Sequence, residues 1–208
     1  MNSWEKSDSY DEPVYQLITR ERLCTKFHIG QNDLSLMKKL VKAGSDHSKF
    51  MRMINVTCDI TAPLYWWKEY DTYKVGTVAN SCSTMHKIHE KEFTREDFST
   101  EHLGCLQAGS GAYWDTEEYF AEWLTLLNVC RETFIKTNDK TWWWQMIQLL
   151  PSSYNQKRTV QLNYAVLRNM YHSRKNHKLD EWRNFCEWVE NLPYSELITD
   201  GGINNDNT

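Results

Sequence analysis

The sequence predicts an α+β fold in which a small mixed or antiparallel sheet is packed with helices. One strand follows from the alternation of residues between Phe50 and Ile60, where the even positions are mostly apolar. Helices follow from segments bounded by start and stop signals. These helical segments are residues 34–43, 63–74, 116–136, 139–150, 159–174 and 179–192. Helices therefore dominate, around a sheet of about three or four strands.

Residues at the ends of these segments support the helices. Asn32 or Asp33 is expected to cap the first helix, and Gly44 follows its lysine-bearing last turn. Asp115 and Glu118 have the spacing of a capping box, which would open the long helix that follows.

The domain organisation is expected to be simple. No repeat, low-complexity run or linker interrupts the chain, so we predict one domain over residues 14–199. Residues 1–13 and 200–208 are polar and are predicted to be disordered.

Composition restricts the classes of partner. The net charge is -4, so no global basic field points to a nucleic acid. No run approaches the roughly 18 apolar residues of a membrane span. The polar N-terminal segment lacks the features of a signal peptide, which makes the cytoplasm the expected location.

Metal binding is not predicted. The six cysteines are widely spaced, without a CxxC pair, and are expected to be free thiols. His86 and His89 have a spacing that would place them on one helix face, but no third ligand stands at a matching distance.

Two stretches of the chain resemble the flavin-dependent thymidylate synthase family. The first, residues 150–183, contains a Leu-Pro pair, an Asn that starts a helix, a second Asn, an Arg that ends this helix, and a Glu-Trp-Arg triplet. These are Leu150-Pro151, Asn163, Asn169, Arg174 and Glu181-Trp182-Arg183. The second stretch runs from His47-Ser48 through the strand at 50–60 and Ala62-Pro63 into residues 72–84. Together the resemblance covers residues 14–195.

The signature loop of that family is altered in this chain. Its Arg-His-Arg falls on Thr72-Tyr73-Lys74, and its later Ser, Glu, Ser and Arg fall on Thr77, Asn80, Cys82 and Thr84. A nucleotide-binding Arg upstream of Leu-Pro falls on Ile147. Arg presents a planar fork to phosphate whereas Lys is a point charge, and each lost charge-assisted hydrogen bond costs about 1.5–3 kcal/mol. Lys157, Arg158 and Arg168 are the nearby candidates to replace the lost cations.

The resemblance implies roles for individual residues. For Arg174 it implies a catalytic and substrate-binding role, since an Arg at a uracil carbonyl stabilises negative charge as C5 becomes nucleophilic. The implied flavin-binding residues are Tyr73, Lys74, Thr77, Asn80, Asn163 and Asn169. The other implied substrate-binding residues are Cys82, Ser83 and Thr84.

Each role has a structural alternative. Arg174 could instead pair with Asp180 or Glu181 on the surface, and the two asparagines could serve as a cap and a surface amide. Tyr73 could stack on an isoalloxazine ring or pack in the core. Cys82 could add to the pyrimidine ring if a neighbouring Lys or His lowered its pKa, or could simply replace the family's Ser.

The family's activity is reductive methylation of dUMP by a homotetramer. Methylenetetrahydrofolate supplies the carbon, FAD carries the hydride and NADPH restores it. The resemblance therefore implies a one-carbon transfer to C5 of dUMP or a related pyrimidine nucleotide, with FMN as the alternative flavin. A pyrimidine nucleotide hydroxymethylase on the same fold and a non-catalytic nucleotide-binding or scaffold protein are the alternatives.

Overall fold

A computed structural model describes residues 6–15, 22–81 and 83–200. Its helices are α1 (Gln31–Lys42), α2 (Leu64–Tyr70), α3 (Thr84–Lys87), α4 (Thr116–Thr137), α5 (Lys140–Leu149), α6 (Tyr164–Arg174), α7 (Asp180–Glu190) and α8 (Glu196–Thr199). Its strands are β1 (Tyr10–Tyr15), β2 (Arg22–His28), β3 (Asn55–Pro63), β4 (Val78–Ser81), β5 (Cys105–Gln107), β6 (Tyr113–Asp115) and β7 (Asn155–Asn163). No helix within these ranges is long and apolar enough to cross a membrane.

The chain divides into two compact units, which are described separately. The first unit comprises residues 1–55 and 163–208, and the second comprises residues 56–162. The single domain over residues 14–199 stays a prediction.

The first unit opens with an antiparallel ribbon of β1 and β2, in which Tyr10 lies opposite His28. β1 begins at Tyr10, inside the segment 1–13 that was predicted to be disordered. Its residues are regular because their backbone groups pair with β2 along the whole strand. Residues 201–208 of the predicted C-terminal tail lie outside the described part of the chain.

Helix α1 begins earlier than its sequence signals indicated. The expected caps Asn32 and Asp33 lie inside the helix, and their backbone N–H groups donate to the Asp8 carboxylate at 3.0 and 3.1 Å. A residue distant in sequence thus satisfies the unpaired amides of the first turn. Gly44, with φ +109°, follows the end of the helix as predicted.

The predicted helix over residues 159–174 is wrong in its first turn. Residues 155–163 form β7, in which Val160 and Leu162 are buried while Thr159 and Gln161 are exposed. This period of two identifies a strand, and α6 starts only after Asn163. Likewise, the strand predicted from Phe50 begins later, because residues 49–53 form a 3-10 helix before β3.

The second unit is built on a three-stranded sheet in the order β3–β7–β4, with β4 antiparallel to β7. Helices α4 and α5 enclose a core that includes Phe98, Leu127, Cys130 and Met146. Asp115 caps α4, because its carboxylate accepts the backbone N–H groups of residues 117 and 118. This cap was predicted from the sequence.

Candidate functional site

Arg174 is the last residue of α6, in the first unit. Its guanidinium lies 5.0 Å from the ring centroid of Trp182, which is fully buried in α7. Asp180, one of the surface partners considered for Arg174, forms an ion pair with Arg183. A cation stacked on a buried indole is restrained in position, which suits a residue that must orient a ligand.

The two asparagines of the first unit differ in environment. Asn163 is the N-cap of α6, and its side-chain oxygen accepts the backbone N–H of Val166 at 3.1 Å. Asn169 is exposed on the same helix. Asn163 therefore has the capping role considered for it, since its side-chain oxygen accepts a hydrogen bond from a backbone N–H in the first turn of α6.

The loop after α2 belongs to the second unit and forms a tight turn. The Thr77 hydroxyl donates to the Tyr73 carbonyl at 3.0 Å, and Gly76 has φ +82°. Tyr73 is half-buried and Lys74 is exposed. The Thr72 hydroxyl donates to the Glu69 carbonyl at 2.7 Å, so this position, which holds Arg in the family, closes the end of α2.

Two cations proposed as replacements for the lost arginines have structural partners. Arg158 forms an ion pair of 2.9 Å with Asp71, and its guanidinium lies 4.3 Å from the Trp67 ring centroid. Arg168 donates to three carbonyls near the end of α8, including that of Ile198 at 2.9 Å. Both side chains therefore make intramolecular contacts that stabilise the fold.

Ile147, where the family has a nucleotide-binding Arg, also has a structural role. It packs against the core between α4 and α5. An Arg at this half-buried position would lose that apolar contact.

We expect Arg158→Met to destabilise the protein without changing ligand affinity. The substitution removes a half-buried ion pair and a cation–π contact, together worth about 1–3 kcal/mol in free energy of unfolding. Urea unfolding measures this loss, with Lys136→Met as the exposed control. An Arg158→Met protein that keeps its stability and loses nucleotide affinity would instead make Arg158 a ligand-binding residue.

A cavity of about 570 Å³ lies within the second unit. It contains Asn80 and Ser83, two of the residues implied by the resemblance. Its other lining residues are Asp59, Ser81, Lys87, Ile88, Lys91, Glu92, Phe93, Asp97, Tyr154, Asn155, Gln156, Lys157 and Thr159. Cys82 lies outside the described residues, and only the backbone of Thr84 is described.

The sheet forms one wall of this cavity. Asp59 of β3 accepts a hydrogen bond of 2.6 Å from the Thr159 hydroxyl and pairs with Lys157 at 2.8 Å. Thr159 lies opposite Asn80 in the β7–β4 ladder. The hydrogen bond from Lys157, reinforced by Thr159, lowers the pKa of Asp59, so this carboxylate is ionised at neutral pH.

Other lining residues combine an ion pair with aromatic rings. Lys91 Nζ lies 3.1 Å from Asp97 Oδ1, and the other carboxylate oxygen of Asp97 accepts the Thr94 backbone N–H at 2.8 Å. Burial, with the charge of Asp97, raises the pKa of Tyr154. Phe93 is 4% exposed and lies beside these groups. The cavity thus offers charged, hydroxyl, amide and aromatic groups together.

No cluster of three His, Cys, Asp or Glu side chains suited to a metal occurs within the part of the chain that the structure describes. His86 is exposed, and the backbone carbonyl of His89 accepts a hydrogen bond of 3.0 Å from Arg131. Cys24, Cys58, Cys105, Cys130 and Cys186 are free thiols.

Comparison with solved structures identifies the fold. A crystal structure of the flavin-dependent thymidylate synthase ThyX from Helicobacter pylori, complexed with FAD and dUMP, superposes with a TM-score of 0.59 and 17% identity, over 82% of this chain and 84% of that one. The chain has a ThyX-like fold. A second Helicobacter pylori ThyX structure with FAD and dUMP gives the same TM-score and identity, over 82% and 83% of the chains. No protein-family model and no curated protein sequence matches.

The ThyX-like fold confirms the predicted α+β class, while the roles of single residues stay predictions. The structure places Asn163, Asn169 and Arg174 in the first unit, and residues 73–81 and Ser83 in the second. Sequence reasoning missed Asp59, Lys87 and Tyr154 as cavity residues. For Asp59 a signal existed, because a charged residue at an odd position of β3 must face away from the apolar even positions.

Proposed function

We propose that this protein is a flavin-dependent, thymidylate synthase-like enzyme. It transfers a one-carbon unit from methylenetetrahydrofolate to C5 of dUMP or a related pyrimidine nucleotide. The observation that carries this proposal is the ThyX-like fold over 82% of the chain, shared with proteins whose structures contain FAD and dUMP. A homotetramer, NADPH as reductant and a cytoplasmic location belong to the same proposal.

The residues of the altered loop fit a flavin in chemical type. Tyr73 supplies an aromatic face for a flat ring, and exposed Lys74 supplies a cation for a phosphate. Asn80, Thr77, Asn169 and the remaining hydrogen-bonding capacity of Asn163 complete the proposed set. A bound flavin would supply the hydride for reduction of the transferred carbon.

Arg174 is the proposed catalytic residue. Its guanidinium donates to a carbonyl of the pyrimidine and stabilises negative charge as C5 becomes nucleophilic. The contact with Trp182 restricts its rotamers, so less entropy is lost when the ligand binds. Ser83, Thr84 and Cys82 are the further substrate-binding residues of the proposal.

A non-catalytic nucleotide-binding or scaffold protein is the second candidate. Two structural roles favour it: Ile147 packs in a core and Thr72 closes α2. In the family both positions hold an Arg. A hydroxymethylase stays within the first proposal, because it shares the carbon transfer and omits the final reduction.

Turnover separates these candidates. We expect the full-length protein, given FAD, NADPH and methylenetetrahydrofolate, to release tritium from dUMP labelled at C5, since C5 must lose its hydrogen when the new bond forms. Product mass then distinguishes a methyl from a hydroxymethyl group. Protein that binds dUMP but releases no tritium, with or without folate, supports the non-catalytic candidate.

A further inference from the structure

The charges that line the cavity of the second unit are balanced. Its three lysines are accompanied by the three carboxylates of Asp59, Glu92 and Asp97. Two of the lysines have close partners in the cavity itself, since Lys157 lies 2.8 Å from Asp59 and Lys91 lies 3.1 Å from Asp97. Most of the positive charge is therefore compensated before any ligand binds.

The third lysine, Lys87 at the end of α3, is held much less firmly. Its Nζ lies 3.7 Å from a Glu90 carboxylate oxygen, and both side chains are more than half exposed. Glu90 does not line the cavity. An exposed pair at this spacing contributes little, so the ammonium group can turn to another anion at low cost. Lys87 is thus the lining cation best able to bind an anionic ligand.

Hydroxyl groups accompany Lys87. Ser81 at the end of β4 and Ser83 before α3 are both exposed and line the same cavity. A phosphate group accepts hydrogen bonds from an ammonium and from hydroxyls at once. The cavity lining therefore carries the donors for one phosphate group.

The rest of the lining suits an uncharged, polar part of a ligand. Tyr154 provides aromatic surface, and Asn155 provides an amide. The lining also carries the carboxylates of Asp59, Glu92 and Asp97, which disfavour the additional charge of a triphosphate. The cavity volume of about 570 Å³ is that of a small-molecule site.

We propose that this cavity binds a nucleoside monophosphate, with its phosphate on Lys87, Ser81 and Ser83, and that it selects against the triphosphate. Lys87 here takes over the phosphate-binding role of the arginines that the altered loop lacks. The choice of a pyrimidine as the base rests on the proposed function.

Calorimetry on the full-length protein tests this assignment with dUMP, deoxyuridine and dUTP. We expect Lys87→Gln to weaken dUMP binding by about ten- to hundredfold and to leave deoxyuridine binding unchanged, because one charge-assisted phosphate contact is lost. Lys136→Gln is the matched control, since Lys136 is also an exposed lysine paired with a glutamate nearby in sequence, Glu132 at 3.5 Å. It should bind dUMP like the wild type.

Three results would overturn the proposal: equal dUMP affinity in Lys87→Gln and wild type, dUTP binding as tight as dUMP, or no dUMP binding by the wild type. Failure of the proposed function has a different signature. Protein that takes up no flavin but loses dUMP affinity in Lys87→Gln would refute the flavoenzyme and keep the monophosphate site. If the wild type binds flavin, and Lys87→Gln releases tritium as well as the wild type does at limiting dUMP, the monophosphate site is refuted and the flavoenzyme is kept.

Discussion

Arg174→Ala is expected to weaken dUMP binding by about ten- to hundredfold, which corresponds to the loss of a charge-assisted hydrogen bond worth about 1.5–3 kcal/mol. The fold should survive, because Arg174 lies at the last residue of α6, where it is half-exposed. Calorimetric titration with dUMP measures the affinity, and urea unfolding establishes that the variant is folded.

Two further variants sharpen this test. Arg174→Lys keeps a charge but loses the planar fork, so its affinity should fall between those of the wild type and Arg174→Ala. Arg183→Ala is the control, since Arg183 is an exposed arginine of the same unit whose partners are Asp180 and the carbonyls of residues 177 and 178. If Arg174→Ala binds dUMP as tightly as Arg183→Ala does, the assigned role is wrong.

Trp182→Ala is expected to lower the free energy of unfolding by about 3–5 kcal/mol, the range for removing a buried aromatic side chain. Trp182 is fully buried and its ring packs at 5.7 Å against Phe185 in an edge-to-face arrangement. The substitution leaves a cavity under α7 and removes the ring on which Arg174 rests. Urea unfolding followed by circular dichroism measures the loss.

The appropriate comparison is Trp144→Ala, because the Trp144 side chain is 52% exposed. Its unfolding free energy should change by much less than that of Trp182→Ala. Trp182→Phe keeps an aromatic face near Arg174 and should retain more stability and more dUMP affinity than Trp182→Ala. Equal stability of the Trp182→Ala and Trp144→Ala proteins would contradict the packing described for the first unit.

Local signals predicted much of the secondary structure. The Asp115 cap and the glycine after α1 act within a few residues of the helix ends that they define, so the sequence alone reveals them. In β3, the even positions Val56, Cys58 and Ile60 are the less exposed ones, as their alternation predicted.

Features that depend on distant residues escaped prediction. Asp8 caps α1 from more than 20 residues away, and no pattern near the helix indicates it. The first part of residues 159–174 was assigned to a helix because the strand alternation of β7 runs directly into the apolar residues of α6. Only pairing within the sheet decides between the two.

In the candidate site, too, some residues could be predicted from the sequence and others depend on distant parts of the chain. The resemblance directed attention to the loop at residues 72–84, and Asn80 and Ser83 indeed line the cavity. It could not predict that Arg158 pairs with a carboxylate and Arg168 with helix carbonyls, because a cation that binds phosphate binds these groups equally well. Nor could it single out Lys87, whose significance depends on the pairing of Lys91 and Lys157 by other parts of the unit.

Mass spectrometry of the small molecules released from the native purified protein tests the central claim most directly. Together with an absorbance spectrum and titrations with FAD and FMN, it reports whether this ThyX-like chain is a flavoprotein. The proposed function predicts yellow protein, or protein that becomes so on titration, with FAD or FMN as the released flavin. Concentrated protein that is colourless, releases no flavin and takes up neither FAD nor FMN would contradict it.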